Sequence, residues 1–363
     1  MGEEVLKAYI FMDSPAYLPG DLIKVGFSVI NYLSDVKEVE YDLRLSLNEK
    51  EFWSERGKIF LIRGEEKVLE WGLNLPFKTG ILKAIATFSW VGGKLLAEKT
   101  ARVSEPPDNP VRLIMVWHQH QPPSYLPNGR YKWDYPFRWV WYNLFNGGYT
   151  GGPYYVHAKL LLKYGDVKTV QHLSPSLLKQ WVDAIENGYR LETGEYYDQD
   201  SREVKMVREA LKMFKELSKN GTIELLTSVY AHTISGYLVS KYGMLDVVEE
   251  ELELGYDITK AVFGVDAKGV WTPEMAWDQQ LVEVYSRKGF EYTILCGRNH
   301  FPGATGDKES IYEPYIVREN GYELKIFFRD QGLSDTIGFG NNFPELVEAE
   351  DGAYNLASRM LDY

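Results

Sequence analysis

One carboxylate in this chain lies between two tryptophans and directly after a proline. It is Glu274, within the stretch GVWTPEMAWD at residues 269–278. Aromatic rings stack on the apolar faces of sugar rings, and an apolar wall shifts the pKa of a nearby carboxyl group. Glu274 could therefore do chemistry on a sugar. It could equally cap the helix predicted from about Trp277, because acidic residues favour helix N-termini.

Histidines follow several of the predicted strands. All but His157 of the six histidines lie within or just after a strand's carboxyl end, whereas structural histidines would be scattered. Alternate residues of a strand point the same way, so His118 and His120 could bind one zinc ion, with His232 or Asp330 as third ligand. The same rings could instead donate hydrogen bonds to sugar hydroxyls, or be satisfied core histidines.

The composition narrows the classes of partner. The net charge of −12 among 363 residues argues against nucleic acid as a partner, and the 14% aromatic content favours a ligand that stacks on aromatic rings.

The single cysteine, Cys296, excludes an intramolecular disulfide. We find no apolar run long enough for a membrane-spanning helix, no signal sequence and no signal for an oligomeric state. The expected location is extracellular if a signal peptide has been removed, and cytoplasmic otherwise.

Two sequence patterns divide the chain. Short alternating strands separated by turns predict an immunoglobulin-like β-sandwich over residues 1–105. Three prolines make 106–110 a stiff linker. From residue 111 onward, apolar strands alternate with helices, which predicts a parallel sheet closed into a (β/α) barrel over 111–363. Sites in such folds form at the carboxyl ends of the strands, where Glu274 and the histidines are expected.

Three ordered motifs resemble those of glycoside hydrolase family 57. They are HQP at 120–122, GTIELLTSVYAH at 221–232 and WTPEMA at 271–276. Supporting stretches at 171–178 and 328–339 also look like that family, and most like its α-amylase and amylopullulanase branch. The resemblance implies an incomplete (β/α)7 barrel and a retaining hydrolase of α-1,4 and α-1,6 bonds in starch, pullulan or glycogen, with no required cofactor.

The resemblance also implies roles for individual residues. The residue that matches the family nucleophile is Glu274, and those that match substrate-contacting positions are His120, Glu224 and His232. Glu274 would attack the anomeric carbon and form a covalent glycosyl-enzyme that water then releases.

Chemical reasoning adds three more substrate-binding residues to that set. We predict that His118 donates a hydrogen bond to a sugar hydroxyl, and that Trp271 and Trp277 form the stacking walls of the site. Calcium would suit the acidic loop at 196–201, although no EF-hand-like spacing is present.

The general acid is the difficult part of the resemblance. The family places it as an Asp in a fourth motif, on a strand later than 329–339, and we find no match before Tyr363. Either the chain is a piece of a larger protein, or Asp330 or Asp335 substitutes. Without the acid we expect weak activity on starch, since acid assistance is worth ~10²–10⁴ in rate.

Two other functions are alternatives to an α-glucan hydrolase. They are a zinc-dependent carbohydrate hydrolase or deacetylase using His118 and His120, and a non-catalytic α-glucan-binding protein.

Overall fold

The computed structural model describes residues 6–32, 37–108, 112–143, 150–338, 353–358 and 360. Contacts divide these residues into two compact units. One contains the described residues up to Arg112 together with those after Val347, and the other contains those from Leu113 to Leu346. The division proposed from the sequence, with a linker at 106–110, stays a prediction.

The N-terminal unit is built from β-strands. They are β1 (Leu6–Met12), β2 (Ala16–Tyr17), β3 (Leu22–Asn31), β4 (Lys37–Leu47), β5 (Lys50–Leu61), β6 (Glu66–Asn74), β7 (Gly80–Trp90) and β8 (Gly93–Val103). One sheet has the order β1-β3-β6 and the other has the order β2-β8-β7-β4-β5. The sequence predicts seven strands in this unit, one of them over 58–62, and all seven are confirmed. That strand, β5, begins eight residues earlier, at Lys50, and the short β2 was not predicted.

The two sheets pack face to face around aromatic rings. Phe27 of β3 is fully buried, and its ring centroid lies 4.9 Å from that of Phe88 on β7 and 5.0 Å from that of Tyr41 on β4. Alternating burial along β7 shows that every second side chain enters this core. The unit is therefore a β-rich sandwich, and its immunoglobulin-like type stays a prediction.

The segment 353–358 belongs to the N-terminal unit by its contacts, whereas the sequence assigned it to the barrel. The hydroxyl of Tyr354 donates to the carbonyl of Thr100 at 2.6 Å, and the ammonium of Lys99 lies 4.2 Å from the centre of the Tyr354 ring. Aromatic packing on the sandwich decides this placement, and local sequence could not show it.

The second unit alternates strands and helices. Its elements are β9 (Val116–Gln119), α1 (Tyr135–Trp141), α2 (Pro153–Lys163), β10 (Thr169–Leu173), α3 (Pro175–Asn187), β11 (Tyr189–Arg190), β12 (Tyr196–Tyr197), α4 (Arg202–Lys219), β13 (Ile223–Thr227), α5 (Ser235–Tyr242), α6 (Leu245–Phe263), β14 (Gly269–Val270), α7 (Leu281–Arg287), β15 (Tyr292–Cys296), α8 (Gly297–His300), β16 (Tyr315–Glu319), β17 (Tyr322–Arg329) and α9 (Gln331–Gly338). Within the described ranges, none of these helices combines the length and apolar character that a membrane crossing requires.

One mostly parallel sheet runs through the second unit in the order β16-β17-β15-β14-β13-β10-β9. All neighbours are parallel except β16, which forms an antiparallel hairpin with β17. Three strand spacings, about 14 Å, would separate β9 from β14 in a flat sheet. The ring of His118 on β9 nevertheless lies 4.4 Å from that of Trp271, which follows β14. The sheet is therefore strongly curved, as in an incomplete (β/α) barrel.

The first barrel strand is shorter than the sequence predicted. The apolar run 111–117 predicts a strand along its whole length, but β9 begins at Val116 and the side chains of Leu113 and Ile114 are exposed. The neighbouring β10 begins at Thr169, and its Val170 pairs with Val116. A strand needs a bonded neighbour, so hydrophobicity alone did not extend β9 towards residue 111.

The helices cover the sheet with their apolar faces. Helix α4 begins after Ser201, whose side chain accepts a hydrogen bond from the N–H of Val204. Its buried residues recur every three or four positions, as a helix packed on one face requires.

Replacing Phe27 with Ala should destabilise the N-terminal unit by about 3–5 kcal/mol, because it leaves a cavity between the two sheets. Phe77→Ala is the matched control, since this ring is 88% exposed and its loss should change stability by less than about 0.5 kcal/mol. Urea unfolding of both variants measures the difference. Equal losses would show that Phe27 does not hold the sheets together.

Candidate active site

Four imidazole rings and one indole ring meet at the carboxyl ends of the strands, and we call this set the imidazole stack. His118 and His172 occupy paired positions on β9 and β10, so their rings lie side by side, 6° from parallel with centroids 4.8 Å apart. His232 follows β13, and its ring stacks on that of His120 at 3.9 Å. Trp271 closes the stack against His118. The curved sheet has brought residues from four strand ends into contact.

The polar atoms of the imidazole stack are only partly satisfied by protein. Nδ1 of His118 lies 2.7 Å from Nδ1 of His172, and Nδ1 of His120 lies 2.9 Å from the hydroxyl of Ser174. Three buried nitrogen atoms have no partner among the described residues: Nε2 of His172, Nε2 of His232 and Nε1 of Trp271. An unsatisfied buried polar atom costs roughly 1–3 kcal/mol, so the stack keeps these polar groups at a cost in stability, which is unusual outside functional sites.

Burial keeps these imidazoles neutral at physiological pH. It lowers the pKa of His120 to about 3, with a further contribution from His232, and it lowers the pKa values of His118 and His172 well below 6.5. Burial also lowers the pKa of His232, although the negative charge of Glu274 partly offsets this. Neutral rings donate and accept hydrogen bonds without presenting a net charge, which suits an uncharged ligand.

His118 differs from its neighbours because it lines an opening. Protein atoms surround the ring densely enough to depress its pKa, yet its surface is exposed. Both observations hold for a side chain on the wall of a concave site, whose outer side remains open to solvent.

Glu274 lies beside this stack on a strained turn. The residue is exposed and has φ +52°, as does Met275, and His232 has φ +59°. Residues other than glycine rarely adopt the left-handed region, at a cost of order 1–3 kcal/mol each. Such strain often persists at functional sites, where the surrounding structure holds it. The negative charge of Glu274 raises the pKa of His232, so the carboxylate is near enough to this ring to act on it electrostatically.

Buried polar contacts fix the turn that carries Glu274. The hydroxyl of Thr272 lies 2.9 Å from that of Thr293 on β15, and the N–H of Met275 donates back to the Thr272 carbonyl. On the far side of the turn, the carbonyl of Ala276 accepts a hydrogen bond from the N–H of Gly236. A Cβ at Gly236 would lie 2.2 Å from that carbonyl oxygen, so a glycine is needed for this approach.

Three of the residues predicted from the sequence, Glu224, Trp277 and Asp330, contact residues outside the imidazole stack. Leu226 of β13 pairs with His172 of β10. Glu224 comes two residues before Leu226 in the same strand, so it lies about 6.6 Å from the level of His172 along β13. Its carboxylate accepts a hydrogen bond from the hydroxyl of Tyr292. Trp277 packs beside Tyr285 of α7 in a separate cluster of apolar side chains. Their roles in substrate binding stay predictions.

Asp330, the predicted stand-in acid, caps helix α9. One of its carboxylate oxygens accepts from the N–H of Leu333 at 2.7 Å, and the other accepts from the hydroxyl of Tyr312 at 2.8 Å. Asp335 accepts from Gln331 and pairs with Arg329 at 3.5 Å. These contacts give both carboxylates structural roles, and their use as acids stays a prediction.

The described residues contain no group of three or more His, Cys, Asp or Glu side chains placed to hold a metal ion. His118 and His120 each direct Nδ1 at another side chain, and the ring of His232 stacks on that of His120. The acidic loop predicted for calcium instead forms local hydrogen bonds, in which Asp198 accepts from Asp200 and Ser201. The geometry therefore gives no support to the zinc alternative.

The sequence indicates His172 as a histidine at a strand end, and it places both His172 and Ser174 in the supporting stretch 171–178, but it predicts no role for either of them. Gly236 was missed altogether. It carried no signal, because it acts through Ala276, which is far away in sequence.

Gly236→Ala should displace the turn that carries Glu274 and cost about 1–3 kcal/mol, because the backbone carbonyl of Ala276 has little freedom to move. Gly165→Ala is the control, since a Cβ there meets nothing within 4 Å. Urea unfolding gives the stability, and amide exchange at Met275 and Ala276 reports the turn. If both variants behave alike, the close approach at Gly236 does not hold the turn.

Acid should destabilise the second unit through its buried imidazoles. The pKa of His120 is about 3 in the folded state and that of His157, also lowered by burial, is about 4, against about 6.5 unfolded. Stability is therefore complete above pH 6.5 and falls as the pH drops towards 3, because the unfolded chain binds the protons. We expect a loss of about 1–2 kcal/mol per imidazole at pH 5.

Urea unfolding at pH 7 and pH 5 tests this, with His120→Gln expected to flatten the dependence. The N-terminal unit provides an internal control, because the chain has no histidine before His118. An identical pH dependence in wild type and His120→Gln would contradict the assignment.

Known proteins resemble the second unit. The 4-alpha-glucanotransferase of Thermococcus litoralis is 24% identical over 229 residues, which cover 63% of this chain and 28% of that protein. The alpha-amylase of Pyrococcus furiosus is also 24% identical over 229 residues, with the same coverage. The crystal structure of the Thermococcus litoralis enzyme superposes with a TM-score of 0.45 and 22% identity, covering 63% of this chain and 29% of that one. The chain thus spans less than a third of the length of these relatives.

A family model provides the assignment. The model described as glycosyl hydrolase family 57 matches residues 114–359, which is more than half of the chain and includes the whole imidazole stack and Glu274. This protein therefore belongs to glycosyl hydrolase family 57.

Proposed function

We propose that the chain acts on α-glucans, with Glu274 as the nucleophile of a retaining glycosyl transfer. The observation that carries the proposal is the meeting of an exposed carboxylate on a strained turn with neutral, partly unsatisfied imidazoles. A polyhydroxylated neutral ligand would form hydrogen bonds with the neutral imidazoles that remain accessible, among them the exposed His118.

Each group has a role in the proposed reaction. The Glu274 carboxylate attacks the anomeric carbon, the leaving oxygen takes the electron pair of the broken bond together with a proton from the general acid, and a covalent glycosyl-enzyme forms. The imidazoles of His120 and His232 bind hydroxyls of the sugar that is transferred. The buried ring of Trp271 stacks on His118 and supports that imidazole, while its use as a stacking wall for a sugar stays a prediction.

The neutral state of the imidazole stack fits this substrate class. A positively charged imidazole next to Glu274 would stabilise the free carboxylate and weaken it as a nucleophile. Burial lowers the pKa values of His118, His120 and His232, so none of them presents a full positive charge to Glu274 at pH 7. The attacking carboxylate then loses less electrostatic stabilisation as it becomes a neutral ester bonded to the anomeric carbon and the leaving oxygen takes the electron pair.

The proposed substrates are α-1,4-linked glucans and, as in the amylopullulanase branch, those with α-1,6 bonds. The relatives include proteins named alpha-amylase and 4-alpha-glucanotransferase, so the glycosyl-enzyme is proposed to transfer its sugar either to water or to the hydroxyl of another glucan.

Retention also requires a second carboxyl group ~5–5.5 Å from the nucleophile. The hydrogen bonds of Asp330 fit a helix cap better than that acid.

An activated fluoro-sugar tests the nucleophile without depending on the acid. A glycosyl fluoride needs little acid assistance, so it should label Glu274 and add one glycosyl unit to the peptide that carries it. Mass spectrometry of the digested protein measures this. Glu274→Gln should remain unlabelled and Asp330→Asn should be labelled as wild type.

The controls separate the competing functions. Absence of an adduct on folded wild type would refute the nucleophile assignment. If maltooligosaccharides nevertheless bind to both wild type and Glu274→Gln, the chain is a glucan-binding protein without this chemistry.

A further inference from the structure

We propose that His172 is a positioning residue that fixes the tautomer of His118, so that Nε2–H of His118 is a hydrogen-bond donor in the open part of the site. This inference rests on the proposed function for the identity of the ligand, an oxygen atom of an α-glucan. The tautomer itself depends only on the geometry of the two rings.

Only one proton can lie between the Nδ1 atoms of the two rings. Their Nδ1 atoms are 2.7 Å apart, within hydrogen-bonding distance. A neutral imidazole carries its one proton on either Nδ1 or Nε2. Burial lowers both pKa values well below 6.5, so both rings are neutral at pH 7. One ring is therefore the Nδ1–H tautomer, and the other must be the Nε2–H tautomer.

The surroundings of His172 decide which ring holds the proton on Nδ1. His172 is 0% exposed, and its Nε2 has no partner among the described residues. If that atom carried a proton, it would be a buried N–H without an acceptor, which is rarer in folded proteins than an unused acceptor. The proton of His172 therefore lies on Nδ1 and is donated to Nδ1 of His118.

His118 is consequently left with its proton on Nε2. Its Nδ1 is occupied as an acceptor, and the ring is exposed at the opening. The available polar atom is thus a donor, which recognises an oxygen with a free lone pair.

His232 lies beside this donor. The rings of His118 and His232 have centroids 4.9 Å apart. A sugar held by Nε2–H of His118 would therefore lie next to the second imidazole that is proposed to bind its hydroxyls.

Nitrogen-15 NMR of the histidine side chains tests the tautomers directly. In folded wild type at pH 7, we expect His118 to show protonated Nε2 and His172 to show protonated Nδ1, with assignments from His118→Gln and His172→Asn. The opposite pattern would overturn the inference. This readout needs no substrate, so it is independent of the proposed function.

Variants at His172 test the consequence for binding. In His172→Asn the amide N–H takes the place of Nδ1–H, so affinity for maltoheptaose should stay within about threefold of wild type. His172→Leu removes that donor and should weaken binding about tenfold. His157→Asn, which removes another buried imidazole that contacts Gln171, is the control and should bind as wild type.

The outcomes are distinguishable. Equal affinities for the Asn and Leu variants would refute the positioning role, and circular dichroism confirms that each variant is folded. If wild type itself fails to bind maltoheptaose, the proposed function fails, while the tautomer measurement still decides the arrangement of the two rings.

Discussion

The site depends on one physical constraint: side chains from four strand ends must share a small, poorly hydrated volume. The curved sheet places His118 against Trp271 and His120 against His232. Charged imidazoles at these distances would repel one another and lose their hydration. The rings are therefore neutral, and their chemistry is that of hydrogen bonding. Neutral imidazoles that act by hydrogen bonding support the proposal that the site binds uncharged hydroxyl groups.

The strained turn at Glu274 is the second consequence of that crowding. Left-handed backbone at Glu274 and Met275 costs energy that the turn's own hydrogen bonds must offset. Thr272 is held by Thr293 below the turn, and Gly236 approaches Ala276 from the side. The carboxylate therefore remains exposed while the backbone beneath it is fixed. Rigid support of an exposed reactive group is what preorganised catalysis requires.

The patterns of apolar and polar residues in the sequence predicted more of the fold than of the site. Alternation in the first hundred residues and apolar strands thereafter predicted two kinds of unit, because burial of every second residue and burial of whole strands leave different periods in the sequence. The apolar runs at 223–227 and 292–296 predict strands, and β13 and β15 have these bounds. Strand β9 is shorter than predicted because pairing with β10, and not hydrophobicity, sets its start.

The sequence by itself determined which residues could do chemistry: Glu274 among tryptophans, histidines at strand ends, and motifs in the order of a known family. Only the tertiary structure decided which of them meet. It brought His172 and Ser174 to the stack, placed Glu224 one layer lower, and made Asp330 a helix cap. The physical reason is that residue type and spacing are local properties. Ring contacts, tautomers and burial depend on sheet curvature, which joins residues more than a hundred positions apart.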